Sequence, residues 1–404
     1  MKRFFALFLA TTVLAQDNIS VRLNDGQKSA IKAWVQSALP ALVDAYQGIH
    51  ANPELSFEEI RTSELVATVW EGSGIKVTRR VGKTGVVGVL ENGEGPTVLI
   101  RGDMDALPVT EKTGLPYASK VQIKRPDGTT TGAMHACGHD VHTTMVIGMG
   151  QMLVDLRRHW SGTVVFVAQP AEEIGKGAKA MIDDGLFERF PKPDFCLALH
   201  VLHRLPARSV GFTPGWCHAN MDSVDITIYG KGGHGARPNQ AVDPIVTAAH
   251  VITALQTIVS RRISPSDPGV ITVGSIHGGT RHNIIPDEVK LQLTVRSYTD
   301  EVRKQLLEGI RQITTDICKT MRCPKEPTIV VEKDYVPAAY NHPKLTAAAV
   351  DVFRDLVGES MVFEMEPTMG AEDFSHYART LKVPGLQYRV GTIAFGRYQN
   401  SLKP

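Results

Sequence analysis

The sequence predicts an α/β protein, with a mostly parallel sheet covered by helices on both faces and an inserted α+β unit of ferredoxin-like order. Three observations lead there. Apolar runs at 97–100, 163–168 and 195–199 alternate with helical stretches, the signature of strands buried on both faces. Near residue 215 the strands start to alternate, with Val224, Ile226 and Ile228 on one side and Asp225, Thr227 and Tyr229 on the other, as in a sheet with one covered face. The order of elements there is β-α-β-β-α-β, that of the two-layer ferredoxin-like unit.

Each element has its own warrant. Residues 25–49 read as a helix because Ile31, Trp34, Val35, Ala38, Leu42 and Tyr46 recur at helical spacing. A second helix is expected at 57–71, then β-rich runs at 85–91 and 97–100. A helix at 140–157, a strand at 163–168, a helix at 176–184 and the apolar run 195–199 follow. The inserted unit reads as strand 222–230, helix 241–261, strands 270–277 and 287–296, helix 300–320 and strand 327–333. Helices at 342–356 and 371–381 return to the first pattern. The expected division is a discontinuous α/β domain of 16–215 with 334–404, interrupted by 216–333.

Composition narrows the function. The chain has 404 residues, 43 % apolar and 21 % charged, with a net charge of +2 and no basic block, which argues against nucleic-acid binding. No run of 18 apolar residues follows the N-terminal stretch, so a multi-spanning membrane protein is excluded. Residues 1–15 read as a signal peptide: Lys2 and Arg3, an apolar run from Phe4, and cleavage after Ala15. Secretion or a periplasmic location is expected, with no membrane association after cleavage. Removing Lys2 and Arg3 leaves 42 basic against 42 acidic residues. Of the five cysteines, Cys196 reads as core, and Cys318 and Cys323 are five apart without an assigned disulfide.

The strongest chemical signal is Met134-His135-Ala136-Cys137-Gly138-His139-Asp140-Val141-His142. Thiolate and imidazole are the preferred ligands of zinc and similar metals. Cys137 and His139 flank a flexible glycine, and His142 follows His139 by three, on the same face of a helix starting there. Glu172 and Glu173 stand directly after the strand 163–168; one carboxylate can bind a metal while the other moves protons. His200 follows the run 195–199, and Asp103 and Asp105 follow 97–100. Sites in open α/β sheets gather at these carboxyl ends. An aspartate there can orient a ligating imidazole.

With these motifs the chain resembles the co-catalytic metallopeptidase and amidohydrolase family of aminoacylases and carboxypeptidases. The nearest branch is that of hippurate hydrolase and the plant indole-acetyl-amino-acid amidohydrolases. The matching segments are R-G-D-M-D-A-L-P, M-H-A-C-G-H-D, P-A-E-E, His200, G-K-G-G-H-G-A-R-P, H-N-I-I-P-D and G-A-E-D-F, in family order over residues 40–392. The resemblance implies two divalent ions, zinc or manganese with cobalt or nickel as alternatives. Cys137 would bridge them, His139 and His200 would hold one, and Glu173 the other. Glu172 would be the general base and Asp105 would orient His139. The inserted domain would be a lid that also forms a homodimer. His234 would stabilise the oxyanion, and Asn283 and Arg296 would bind the substrate carboxylate.

The resemblance also implies one more ligand, a histidine in an L-H-S-P-type segment after Tyr388-Arg389-Val390-Gly391-Thr392. Here the chain reads Ile393-Ala394-Phe395-Gly396 and has no histidine beyond His376. A shortened or frame-shifted end, or a divergent member, is expected, with the second metal held weakly. The leading function is hydrolysis of an N-acyl amino acid to a carboxylic acid and an amino acid. The alternatives are a metallocarboxypeptidase or dipeptidase on short peptides, and a non-catalytic binding member.

Overall fold

A computed structural model describes residues 22–124 and 128–401; the expected signal peptide, 1–15, lies outside the described residues. The principal elements begin with helices α1 (Asp25–His50) and α2 (Ile60–Gly72) and strands β1 (Lys76–Val81), β2 (Gly85–Asn92) and β3 (Thr97–Asp103). Next come α3 (His139–Asp155), β4 (Gly162–Gln169), α4 (Gly177–Asp183), β5 (Phe195–Pro206) and β6 (Val210–Phe212). The middle of the chain forms β7 (Asp222–Tyr229), β8 (Gly233–His234), α5 (Pro244–Arg261), β9 (Gly269–His277), β10 (Ile284–Ile285), β11 (Glu288–Ser297), α6 (Asp300–Thr320) and β12 (Thr328–Val331). The last elements are α7 (Pro343–Val357), β13 (Val362–Glu364), α8 (Ser375–Leu381), β14 (Gly385–Ile393) and α9 (Phe395–Ser401).

The chain divides into two compact units, the smaller made of His218–Ala339 and Thr368–Glu372. The sequence reading placed residues 368–372 with the larger domain.

The larger unit is built on an eight-stranded sheet of order β1-β2-β4-β3-β5-β14-β6-β13. Its centre, β4-β3-β5-β14, is parallel, and β2 runs antiparallel to β1 and β4. This is the predicted class. Val98, Ile100, Val164 and Phe166 pack on one face with Trp70 and Val146. Leu99, Val165 and Val167 pack on the other with Met181 and Tyr377. Successive side chains leave a strand on opposite faces, so two covered faces require an unbroken apolar run. The register pairs Asp103 with Gln169 and Arg101 with Ala198, which brings the carboxyl ends of β3, β4 and β5 together.

Local chemistry sets the element ends. α1 starts at Asp25 because Asn24 and Gln27 form a reciprocal cap, Gln27 N to Asn24 Oδ1 at 2.9 Å and Asn24 N to Gln27 Oε1 at 3.0 Å. α2 begins at Ile60, not 57, because Phe57 has φ +65° and Glu59 is spent on a turn. The Glu59 carboxylate accepts from Phe57 N at 2.9 Å and Ala171 N at 2.8 Å. The helix expected at 371–381 is only Ser375–Leu381, since Asp373 turns inward to accept from Ala178 N at 3.0 Å and Gln169 Nε2 at 2.6 Å.

The smaller unit is an antiparallel sheet, β9-β11-β7-β12. Val224, Ile226 and Ile228 face Leu255 of α5 and Leu306 and Ile310 of α6. The ferredoxin-like order is as predicted. Arg303 pairs with buried Asp222, Nη2 to Oδ1 at 2.7 Å, beneath the Tyr335 ring. Among the described residues no helix is long and apolar enough to cross a membrane.

Candidate active site

Four segments of the larger unit meet at the ends of its central strands. β3 runs into Asp103 and Asp105, β4 turns through Pro170 into Glu172 and Glu173, β5 carries His200, and α3 opens with His139 behind Cys137 and Gly138. Gly138 has φ +85°, and a Cβ there would stand 2.3 Å from Val201 Cγ2. Glycine therefore lets the loop lie against β5. Cys137 Sγ comes within 3.4 Å of His200 Nε2 as a result.

Among the described residues three groups of ligand-type atoms share His139. The atoms of each lie within 4.8 Å of one another: Cys137, His139 and His200; His139, Glu172 and Glu173; and Asp103, His139 and His142. Hydrogen bonds set the tautomers. His200 Nδ1 lies 2.7 Å from Val201 O; a carbonyl only accepts, so Nδ1 carries the proton and the Nε2 lone pair faces Cys137. His139 Nδ1 lies 3.2 Å from Asp105 Oδ1, which leaves its Nε2 for the cluster.

Asp105 does more than orient His139. Its carboxylate also accepts from Glu172 N at 3.1 Å, Glu173 N at 3.0 Å and Ser56 Oγ at 2.7 Å. One buried side chain thus ties the acidic turn to the histidine.

The residues fit a divalent cation. His139 Nε2 and Glu173 Oε1 are buried without a hydrogen-bond partner among the described residues, a costly state unless something is held there. They lie 3.8 Å apart. Burial opposes a charge on His139, yet Asp103 and Asp105 outweigh it and hold its pKa well above the ordinary range. Burial raises the Cys137 thiol and the Glu173 carboxyl. The pocket thus draws a positive charge, which a proton or a metal can supply.

Not every residue of the motif joins the cluster. His142 spends both nitrogens elsewhere, Nδ1 on Asp103 Oδ1 at 2.6 Å and Nε2 on Val201 N at 2.9 Å. His135 is outside all of these groups; burial lowers its pKa to about 4. His234, Asn283 and Arg296 belong to the smaller unit. His234 pairs with Ile284 across β8 and β10, and its Nδ1 accepts from Ala236 N at 3.1 Å, so Nε2 carries its proton. Asn283 is exposed and its carbonyl accepts from Gly235 N at 2.9 Å. Arg296 donates from Nη1 to Met369 O at 2.9 Å.

Sequence reasoning gave no role to the buried set behind the ligands. Arg101 pairs with Asp103 and, at 3.1 Å, with Asp373. Its Nε donates to Gln169 Oε1 at 2.9 Å, which also accepts from Tyr377 Oη at 2.9 Å. The signal was present in R-G-D and E-D-F, but partners 272 residues apart are visible only once the chain is folded.

The chain is similar to known proteins over most of its length. Residues 99–401 match the model of peptidase family M20/M25/M40. Thermostable carboxypeptidase 2 of Saccharolobus solfataricus is 38 % identical over 87 % of this chain and 86 % of its own length. The hippurate hydrolase of Campylobacter jejuni is 38 % identical over 83 % of this chain and 84 % of its own. The crystal structure of a Bacillus subtilis dinuclear metal-binding peptidase of family M20 superposes with a TM-score of 0.73 at 30 % identity, covering 89 % of this chain and 90 % of that one. The chain belongs to peptidase family M20/M25/M40 and is a metal-dependent hydrolase of amide bonds.

Proposed function

We propose that this protein hydrolyses N-acyl amino acids of the hippurate type, releasing a carboxylic acid and an amino acid. The convergence of Cys137, His139, His200, Glu172 and Glu173 around the unbonded His139 Nε2 and Glu173 Oε1 carries the reading. The relative named for hippurate supports the choice of substrate. Divalent cations, zinc or manganese before cobalt or nickel, would supply Lewis acidity that polarises an amide carbonyl and acidifies water.

The chain's own residues do the rest. Cys137, His139 and His200 would hold one ion, and Glu173, with Cys137, would hold the other. Three protein ligands on one side against fewer on the other would make the two affinities unequal. Glu172 has its backbone N–H on Asp105 and serves as the general base, taking a proton from water and passing it to the leaving amine. Asp105 keeps His139 in its Nδ1–H form. His234, protonated on Nε2, donates to the developing oxyanion, a contact worth on the order of 3 kcal/mol. Asn283 and Arg296 bind the substrate carboxylate. A homodimer through the smaller unit accompanies this reading, since β9 is an edge strand with Ile276 exposed on it. Export through the segment 1–15 completes it.

The test is release of glycine from hippurate by metal-loaded protein, set beside N-acetyl amino acids and short peptides. Glu172→Gln is expected to lower kcat by roughly 10²- to 10⁴-fold with metal content unchanged. Preference for unacylated peptides would favour the carboxypeptidase reading. Normal metal content without turnover of any of them would favour a binding protein.

A further inference from the structure

His142 looks like a fourth ligand of the cluster. It sits one helical turn beyond His139, with ring centroids 5.3 Å apart, and 4.6 Å from the His200 ring. Its hydrogen bonds say otherwise. Val201 N–H donates to Nε2 at 2.9 Å, so Nε2 carries no proton and its lone pair is occupied. Nδ1 therefore bears the proton and gives it to Asp103 Oδ1 at 2.6 Å. His142 is neutral, in a single tautomer, with nothing left for a metal.

The position of Val201 gives the pair its meaning. The ladder between β3 and β5 ends at the Arg101 and Ala198 pair. Beyond it, the Val201 N–H takes His142 in place of a strand. The Val201 carbonyl holds His200 Nδ1 at 2.7 Å. One residue of β5 is thus fixed through its N–H by His142 and through its carbonyl to His200.

Asp103 is itself held rigidly. Arg101 takes its second oxygen, Thr143 Oγ1 donates to its carbonyl at 2.8 Å, and Arg101 is braced by Asp373 and Gln169. The Arg101, Asp103 and Asp373 side chains are completely buried or nearly so. Burying an ionic triad adds little stability over apolar packing of the same volume. Its physical return here is a carboxylate that cannot rotate.

We propose that His142 is a positioning residue: held by Asp103 in its Nδ1–H form, it fixes Val201 so that His200 presents Nε2 toward Cys137. The proposal rests on Cys137 and His200 being metal ligands. It assigns work to Asp103 and His142 without making either of them a ligand or a catalytic residue.

Two variants separate positioning from bulk. His142→Phe keeps a ring but loses both hydrogen bonds. His142→Gln restores them, because its amide oxygen can accept from Val201 N while its NH₂ donates to Asp103. Cobalt(II) titration of metal-free protein, read at the cobalt–thiolate charge-transfer band, measures ligation at Cys137 independently of turnover. His142→Phe is expected to weaken cobalt binding by roughly 10- to 100-fold, the usual effect of losing a residue that orients a ligand. It should lower kcat more than it changes KM, and His142→Gln should recover most of both. Equal cobalt affinity in wild type and His142→Phe would overturn the proposal, and so would a Gln variant as poor as Phe. A wild type without the thiolate band would overturn the ligand assignment and the proposal with it.

A second measurement needs no variant to fold. In ¹⁵N-histidine spectra of the wild type, zinc should move the Nε2 resonances of His139 and His200 and leave that of His142 in place. A His142 Nε2 that shifts as a ligand does would refute the proposal.

Discussion

Gly138→Ala tests the packing that brings the ligands together. Gly138 has φ +85°, and an added Cβ would meet Val201 Cγ2 at 2.3 Å, where ordinary contact begins at 3.4 Å. Two costs follow. An alanine held in the left-handed region costs roughly 1–2 kcal/mol. The overlap needs about 1 Å of movement, and overpacking of this kind costs roughly 1–3 kcal/mol. The loop that moves carries Cys137 and His139, and the strand it pushes carries His200. A shift of about 1 Å in such a site lowers activity about 100-fold. Urea unfolding of metal-free protein gives the stability term and metal titration gives the positional one. Val201→Ala removes the clashing methyl, so the double variant should retain only the backbone strain, recovering roughly 1–3 kcal/mol over Gly138→Ala. Wild-type stability and metal affinity in Gly138→Ala would refute this account, as would a double variant no better than the single one.

Two further outcomes follow from buried charge. His50 lies between Asp140 Oδ2 at 2.6 Å and Glu111 Oε1 at 3.1 Å. The hydrogen bond to Asp140 raises its pKa to about 9 against the opposing effect of burial, with Glu111 assisting. A folded-state pKa above the unfolded value of about 6.5 corresponds to about 3 kcal/mol, fully present below pH 6.5 and lost as pH rises through 9. His50→Leu should therefore be destabilised most near pH 6 and less near pH 9.5 in urea unfolding; a gap that widens with pH would contradict this. Metal affinity should have the opposite pH dependence. Burial raises Cys137 and Glu173, and Asp103 and Asp105 raise His139 against its burial. Each must shed its proton to bind a cation, so affinity should climb as pH rises through neutrality. Flat affinity across neutrality, by titration calorimetry, would show that these groups do not take part.

How much of this was legible in the sequence depends on how local each signal is. The central strands were visible because burial on both faces demands uninterrupted runs such as Val164-Val165-Phe166-Val167. β1, Lys-Val-Thr-Arg-Arg-Val, sits at the sheet edge with an exposed face and carries no such run. β14 carries no such run either, because Gln387 and Arg389 interrupt it. Gln387 is tolerated there because its backbone N–H donates to Asn341 Oδ1 at 2.7 Å and its carbonyl accepts from Asn341 Nδ2 at 2.9 Å. In the site, residue type and placement at strand ends pointed to Cys137, His139, Glu172, Glu173 and His200. What His142 and Asp103 do could not be read that way. A histidine three residues beyond a ligand-type histidine has the same local signature whether it binds a metal or a backbone N–H. Only the end of the β3–β5 ladder, which frees Val201 N–H, separates the two.

The most direct test is hippurate turnover as a function of metal bound per chain, in protein first stripped by a chelator and then reloaded with manganese or zinc. Stripped protein should release no glycine, activity should return with added metal, and Cys137→Ala should lose both the metal and the activity. Turnover that survives complete removal of metal, or a Cys137→Ala variant that loads and turns over as the wild type does, would contradict it.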